Sequence, residues 1–402
     1  MKFLIIFFHI TVIICFSAYL SYPQILSISH IDVGQGDATL IQTHEGKTVL
    51  IDAGSRGKGC EVVYPYLRNN GITSIDIVVT SHYHTDHIGG LNKVLQSFHH
   101  DSIRLIIDRG YNPLLPESKS FSEYRTIVNQ YPSHIIATPG QTFILGKQVS
   151  LKCVAIDGSV LDNGEVPNAR SDENNLSIAW ILSAESLTGG KKYLFRYFTG
   201  GDCGGTSEHY ADLETPLASI VGDVDVMKVN HHGSRYSTNS IFLDSLRSEA
   251  VIISVGNNNR YGHPAFVTIN RLEGSPSIRS IYQTQCRNIS AKAWKKVKVI
   301  GTVRVGVFDS FYTIGPDTYA LGFQKYTPKI SDTFLVSTSK DSGVTVLIYN
   351  ILGKVVGSLK NQPRGEWEYK TSLDRVNLPP GVYFLSFESS SGKLLRKVVH
   401  VH

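Results

Sequence analysis

No Cys-x-x-Cys pair occurs in the 402 residues, and Cys15, Cys60, Cys153, Cys203 and Cys286 are scattered. That spacing excludes a zinc ribbon and a dense disulfide scaffold. For the four cysteines beyond residue 17, free thiols and one or two disulfides both stay open. Charge of one sign is in short supply. A net charge of +5 is too small to imply a nucleic-acid partner by itself, and the local cluster Lys292, Lys295, Lys296, Lys298 and Arg304 is read as a solvated face. Past residue 16 no run is apolar enough to span a bilayer, so no stable membrane span is expected in the mature chain. With 42% hydrophobic and 18% charged residues the chain is not broadly disordered. Its length favours two domains over one.

The one long apolar run, residues 3–16 after Met1-Lys2, has the charge and length of a secretory signal peptide. Small residues around Ser17 suggest cleavage before Ala18, giving residues 1–17 as the signal, with a short uncleaved anchor as the rival. Ile14 stands where a lipoprotein site at Cys15 would need a small residue.

The densest chemistry is His82-Tyr83-His84-Thr85-Asp86-His87, three imidazoles and a carboxylate within six residues. The preceding Ile75-Asp76-Ile77-Val78-Val79-Thr80 predicts a buried strand, and Ile88-Gly89-Gly90-Leu91 with Val94, Leu95 and Phe98 predicts the helix that leaves it. The cluster therefore falls in a strand-to-helix loop. On an extended backbone His82 and His84 turn to one side, while Asp86 and His87 continue round the bend, so each pair can serve one ion of a two-metal site. Imidazole and carboxylate without thiolate suit Zn²⁺ or another first-row divalent ion, Mn²⁺ included.

Other apolar runs end on similar residues. Residues 193–198 lead to Gly200-Gly201-Asp202, where a carboxylate with two oxygens can bridge two ions. Val224-Asp225-Val226-Met227-Lys228-Val229 leads to Asn230-His231-His232-Gly233-Ser234. His231 is taken as the ligand and His232 as its support, in an order that could be reversed because neighbours on an extended chain point opposite ways. Residues 251–256 lead to Tyr261-Gly262-His263-Pro264, where His263 could contact substrate, protonate a leaving group or bind metal.

Strands are expected at residues 25–33, 38–42 and 48–51, followed by Asp52-Ala53-Gly54 and a helix near residues 61–69. Alternation then continues to about residue 279, a pattern of sheets covered by helices. Residues 322–328 look like a linker. Beyond them Val344-Thr345-Val346-Leu347-Ile348-Tyr349-Asn350, Gly353-Lys354-Val355-Val356, residues 381–387 and residues 395–401 predict a small β-sandwich without a His/Asp cluster.

The histidine loop with Asp52-Ala53-Gly54 upstream resembles the metallo-β-lactamase superfamily. Val33-Gly34-Gln35-Gly36-Asp37-Ala38, Thr199-Gly200-Gly201-Asp202, His231-His232-Gly233-Ser234 and Gly262-His263-Pro264 resemble, within it, the soluble hydrolase domain of ComEC-type competence proteins, over roughly residues 28–310. The resemblance implies an αββα sandwich over residues 25–322, metals at the sheet edge and phosphodiesterase or nuclease-like activity. Many superfamily members place a further histidine ligand where this chain has Ser171-Asp172-Glu173-Asn174-Asn175. The ComEC-like group tends to carry Asn-Asn there, so Asn174 or Asn175 is expected to orient water or substrate. The channel segments of full competence proteins are absent, so DNA transport does not follow.

Val346-Leu347-Ile348-Tyr349-Asn350, Leu378-Pro379-Pro380-Gly381-Val382-Tyr383-Phe384 and Lys397-Val398-Val399 resemble the sorting domain read by the type IX secretion machinery of Bacteroidetes, over residues 331–402. A carbohydrate-binding or adhesive module is the alternative. Signal and sorting domain together imply a secreted or cell-surface protein.

The leading expectation is a secreted hydrolase in which two divalent ions activate water against a phosphodiester or nucleic-acid substrate. His82 and His84 hold one ion, Asp86, His87 and His231 the other, and Asp202 bridges. Asp37 and Asp52 orient imidazoles, while Ser234, Asn175 and His263 contact substrate. A lactone, thioester or β-lactam substrate on the same metals is the second possibility, and a non-enzymatic surface binding protein with a vestigial site the third.

Overall fold

The computed structural model describes residues 23–111, 115–206, 208, 210–257, 259–286, 294–321, 344–350, 354–361, 381–389 and 392–400. The expected signal peptide, Lys292 of the basic cluster and the expected linker at 322–328 lie outside them. The chain divides into two compact units, Met1–Gly322 and Phe323–His402.

Two sheets organise the first unit. One has nine strands in the order Asp317–Ala320, Phe311–Ile314, Val303–Val307, Leu26–His30, Thr39–Thr43, Thr48–Ile51, Ile77–Val79, Ile106–Asp108, His134–Ile136. The other runs Gly164–Glu165, Ser159–Val160, Val149–Ile156, Ala179–Thr188, Lys191–Thr199, Val226–Lys228, Ala250–Ile253, Ser280–Gln283, Val297–Val299, with Thr142–Ile144 also paired to Val149–Ile156. Each sheet is antiparallel at one end and parallel at the other. The parallel parts start at Thr48–Ile51 beside Ile77–Val79 and at Lys191–Thr199 beside Val226–Lys228.

Side-chain alternation explains the layering. Val49, Ile51, Ile77 and Val79 point into a core shared with Trp180, Leu182, Tyr197, Val226 and Ile252 of the opposite sheet. Their neighbours Leu50 and Val78 point the other way, onto helices Tyr64–Asn69, Leu91–Ser97 and Lys119–Val128 through Leu67, Leu91, Val94 and Tyr124. On the second sheet Phe198, Met227, Val251 and Ile253 meet Leu217, Phe242, Leu246, Ile269 and Leu272 of helices Glu214–Val221, Ser240–Leu246 and Phe266–Gly274. Period-two strands with both faces apolar require cover on both sides. The result is helix, sheet, sheet, helix, the expected αββα sandwich. Among the described residues no helix is long and apolar enough to cross a membrane.

In the second unit the described residues form one antiparallel four-stranded sheet, ordered Val355–Asn361, Val344–Asn350, Gly381–Ser389, Gly392–His400. Ile348 and Ser386 are buried in it.

Asp225, just before strand Val226–Lys228, carries a buried carboxylate that accepts from the Arg196 backbone N–H at 2.7 Å. Burial pushes its pKa up to about 7, with Glu249 and Asp223 adding to the shift after the Arg196 hydrogen bond has opposed it. A carboxyl whose folded value is raised holds its proton longer in the folded state. Stability is therefore complete below the ordinary carboxylate range and falls as pH rises towards 7, by on the order of 2–4 kcal/mol. Asp225→Asn, which keeps the acceptor, is expected to flatten that decline in urea unfolding between pH 5 and pH 8; an unchanged slope would refute the assignment.

Candidate metal centre

Parallel strands deliver the site. Thr48–Ile51 ends at Asp52, Ile77–Val79 at the histidine loop, Lys191–Thr199 at Asp202, Val226–Lys228 at His231-His232, and Ala250–Ile253 at the turn bearing His263. Ligand sites of open α/β sheets form at the carboxyl ends of their strands because the loops there converge. His84 keeps an extended backbone and the short helix Thr85–Ile88 begins after it, so Asp86 and His87 are presented from a helical turn.

Asp202 is the hub. Its Oδ2 lies 3.3 Å from His87 Nε2, 3.5 Å from His232 Nε2, 3.8 Å from His231 Nε2 and 3.9 Å from His82 Nε2. His82 Nε2 and His84 Nδ1 stand 3.1 Å apart, and His232 Nε2 is 3.4 Å from Asp86 Oδ2. Two donor groups result, each compact enough to surround one cation: His82, His84 and Asp202, and His87, His232, Asp202 and Asp37.

The surroundings fix which ring nitrogen is available. His87 Nδ1 donates to Asp52 Oδ2 at 2.8 Å, and Asp52 also accepts from the Ser81 N–H at 2.8 Å and the Ser81 hydroxyl at 2.6 Å. His232 Nδ1 donates to the Ser254 carbonyl at 2.8 Å. With Nδ1 committed in both rings, both Nε2 lone pairs face Asp202, the arrangement that holds ligating imidazoles. Asp37 is engaged elsewhere, its Oδ2 lying 2.7 Å from Lys228 Nζ, which also donates to the Gly201 carbonyl at 3.0 Å.

Electrostatics point the same way. Burial opposes ionisation of Asp202, but His232, His87 and His231 outweigh it and hold the carboxyl well below its ordinary range. Burial likewise opposes a charge on His87, yet Asp202 and Asp52 raise its pKa well above the usual imidazole value. His232 is raised too, by Asp202 and Asp37 against burial. Protons are thus drawn onto His87 and His232, which burial would otherwise keep neutral, while burial holds His82 and His231 below the usual imidazole value; the His87–His232 side of the centre calls for positive charge. A buried Asp202 Oδ1 without a hydrogen-bond partner adds to that demand. These donors fit divalent cations.

The expected loop residues His82, His84, Asp86 and His87 come together with Asp202. The pair that follows differs from expectation: His232 enters the compact donor group, while His231 sits a step out with its ring against Tyr210 and His263. The premise of an extended chain does not hold there. Both residues have left-handed backbones, φ 51° and 52°, a conformation non-glycine residues adopt only where surrounding structure enforces it. Gly233 follows at φ +80°, and a Cβ on it would meet Pro264 at 2.7 Å.

Asn175 also differs. It is fully buried and its Oδ1 accepts from the Gly204 N–H at 3.1 Å, whereas its neighbour Asn174 lines the cleft with a partnerless Oδ1. Ser234 and His263 both line the cleft. Burial, then His231 and His232, depress the His263 pKa to about 3, so its ring is neutral near pH 7 and holds no proton in reserve for a leaving group.

Sequence reasoning missed three supports. Lys228 left a signal, a charge inside an otherwise apolar strand. Glu214 accepts from Asn230 Nδ2 at 2.7 Å and from the backbone N–H groups of Thr238 and Asn239 at 2.6 and 2.7 Å, fastening the segment on both sides of His231-His232. Glu173 Oε1 accepts from the Tyr83 N–H at 2.7 Å and both its oxygens pair with Arg109. Glu214 belongs to no local motif, and Glu173 stands inside the 171–175 segment where attention falls on its asparagines.

Residues 31–147 match the Metallo-beta-lactamase superfamily and residues 329–401 the Secretion system C-terminal sorting domain. ComE operon protein 3 of Bacillus subtilis is 28% identical over 268 residues, covering 60% of this chain and 30% of that protein. Recombination protein 2 of Haemophilus influenzae is 27% identical over 270 residues, covering 65% of this chain and 28% of that protein. The chain thus spans less than a third of either relative. Among solved structures, the metallo-beta-lactamase fold protein YhfI from Bacillus subtilis aligns with TM-score 0.38 and 13% identity, over 64% of this chain and 95% of that one. The match over residues 329–401 supports secretion or a cell-surface location. With the centre above, these matches make the first unit similar to metallo-β-lactamase superfamily hydrolases and to parts of ComE operon protein 3 and Recombination protein 2, and the last residues similar to a secretion sorting domain.

Proposed function

We propose that the protein hydrolyses phosphodiester bonds of nucleic acid with two divalent cations, one held by His82, His84 and Asp202 and the other by Asp86, His87, His232 and Asp202. Bound there, the cations supply Lewis acidity and an activated water. The protein's own groups do the rest. Asp52 and the Ser254 carbonyl hold the rings of His87 and His232 in the ligating tautomer, and Lys228 keeps Asp37 ionised behind them. Asn174, Ser234 and the neutral His263 offer hydrogen bonds to the non-bridging oxygens. Water adds to phosphorus, the ester oxygen leaves with a proton from solvent, and a phosphomonoester and an alcohol result.

One observation favours phosphate over an acyl substrate. The cleft over the centre, about 840 Å³, is lined by Gln35, Ser55, Asn174, Ser234, Arg260 and other polar or aromatic residues, and among the described residues no aliphatic side chain lines it. Such hydrogen-bonding groups, with the Arg260 guanidinium among them, suit the charged oxygens of a phosphodiester. Protein reconstituted with Zn²⁺ or Mn²⁺ is expected to turn over bis(p-nitrophenyl) phosphate and DNA, and to leave a lactone and nitrocefin intact. Turnover of the lactone or nitrocefin with both phosphodiesters untouched would sink the proposal.

A further inference from the structure

The cleft carries a feature that metal chemistry does not require. Five rings follow one another along it: Tyr236 to Tyr210 at 5.7 Å between centroids, Tyr210 to His231 at 5.6 Å and His231 to His263 at 5.4 Å, all edge to face, and His263 to Tyr261 at 5.9 Å, face to face. All five line the cleft, and the row passes beside Asp202 through His231, whose Nε2 is 3.8 Å from the carboxylate. Its far end is open. Tyr261 is 57% exposed. Its plane is within 14° of the His263 ring. Arg260 donates to its hydroxyl at 3.1 Å with the guanidinium 5.1 Å from the ring centroid. The turn beneath is firmly set, for Asn259 accepts from the His263 N–H at 2.8 Å and donates to the His263 carbonyl at 2.7 Å.

An exposed ring on a rigid turn, with a cationic side chain beside it and a phosphodiester-cleaving centre a few rings away, suits a ligand that alternates flat faces with phosphates. We propose that the exposed face of Tyr261, at the end of this row, is a nucleobase-stacking platform, and that it makes base-bearing single strands the preferred substrate of the centre. This rests on the phosphodiesterase reading above. Stacking on aromatic side chains is tolerant of sequence because every base has a π-face, and duplex bases, already stacked on one another, cannot offer theirs. Arg260 pairs with the adjoining phosphate.

The test compares kcat/KM on a thymidine oligonucleotide with kcat/KM on an abasic oligonucleotide of equal length, in wild type, Tyr261→Ala and Tyr261→Phe, with metal content measured for each. The ratio of the two values should fall roughly tenfold to hundredfold in Tyr261→Ala and stay near that of wild type in Tyr261→Phe, where the ring persists. A wild type that cleaves both oligonucleotides with a ratio that Tyr261→Ala leaves unchanged overturns the stacking platform alone. A metal-loaded wild type that cleaves neither overturns the phosphodiesterase reading, and the platform falls with it.

Discussion

Asp202→Asn is expected to lower hydrolysis on the order of 10³-fold or more, with the bound metal reduced at the same time. Asp202 is the only residue common to both compact donor groups, and four imidazole nitrogens converge on its Oδ2 within 3.9 Å. Asparagine preserves the shape and the Asp202 N–H bond to the Ser177 hydroxyl, 3.1 Å long, so the loop should stay in place. What disappears is the charge that pulls protons, and by the same logic cations, onto His87 and His232. Metal content by elemental analysis and turnover under saturating metal separate the two effects. Wild-type activity with a full metal complement in this variant would remove Asp202 from the centre.

The second large effect lies away from the metals. Arg109→Ala should cost about 3–5 kcal/mol of stability, because it leaves the buried Glu173 carboxylate without its partner. Arg109 is 1% exposed and Glu173 6%. Arg109 Nε and Nη2 reach Glu173 Oε1 and Oε2 at 3.0 and 2.6 Å, and the guanidinium lies 4.3 Å from the Tyr83 ring centroid. Glu173 in turn accepts from the Tyr83 N–H between His82 and His84. Turnover should therefore drop along with stability. Pairing Arg109→Met with Glu173→Gln removes both charges and keeps an acceptor for Tyr83, so much of the loss should return in urea unfolding. A single Arg109→Ala variant within 1 kcal/mol of wild type would show that the pair carries little weight.

Much of this centre is legible in the sequence because each functional side chain follows an apolar run, and such a run ends where the sheets end. Asp52, the histidine loop, Asp202 and His263 all obey that rule. It fails where the backbone leaves its regular states. Strand alternation has no authority over His231 and His232 once both are left-handed, and the choice between Asn174 and Asn175 turns on a short helical turn, Glu173–Leu176, invisible to periodicity. Asp52 at φ 59° is a third left-handed residue at the centre. The layered sandwich is readable for the opposite reason: runs such as Thr48–Ile51 and Ile77–Val79 are apolar on both faces, and only a sheet covered on both sides accommodates that. Contacts like Glu173 with Tyr83, ninety positions apart, leave no local trace.

The two sheets divide ownership of the donors. His82, His84, Asp86 and His87 follow a strand of the first sheet, and Asp202 and His232 follow strands of the second. Neither half of the sandwich holds a complete set, so hydrolysis becomes possible only once the halves have closed on each other. On the proposed function, activity is in that sense a signature of finished folding: a chain whose two sheets have not yet met carries every donor but no complete set.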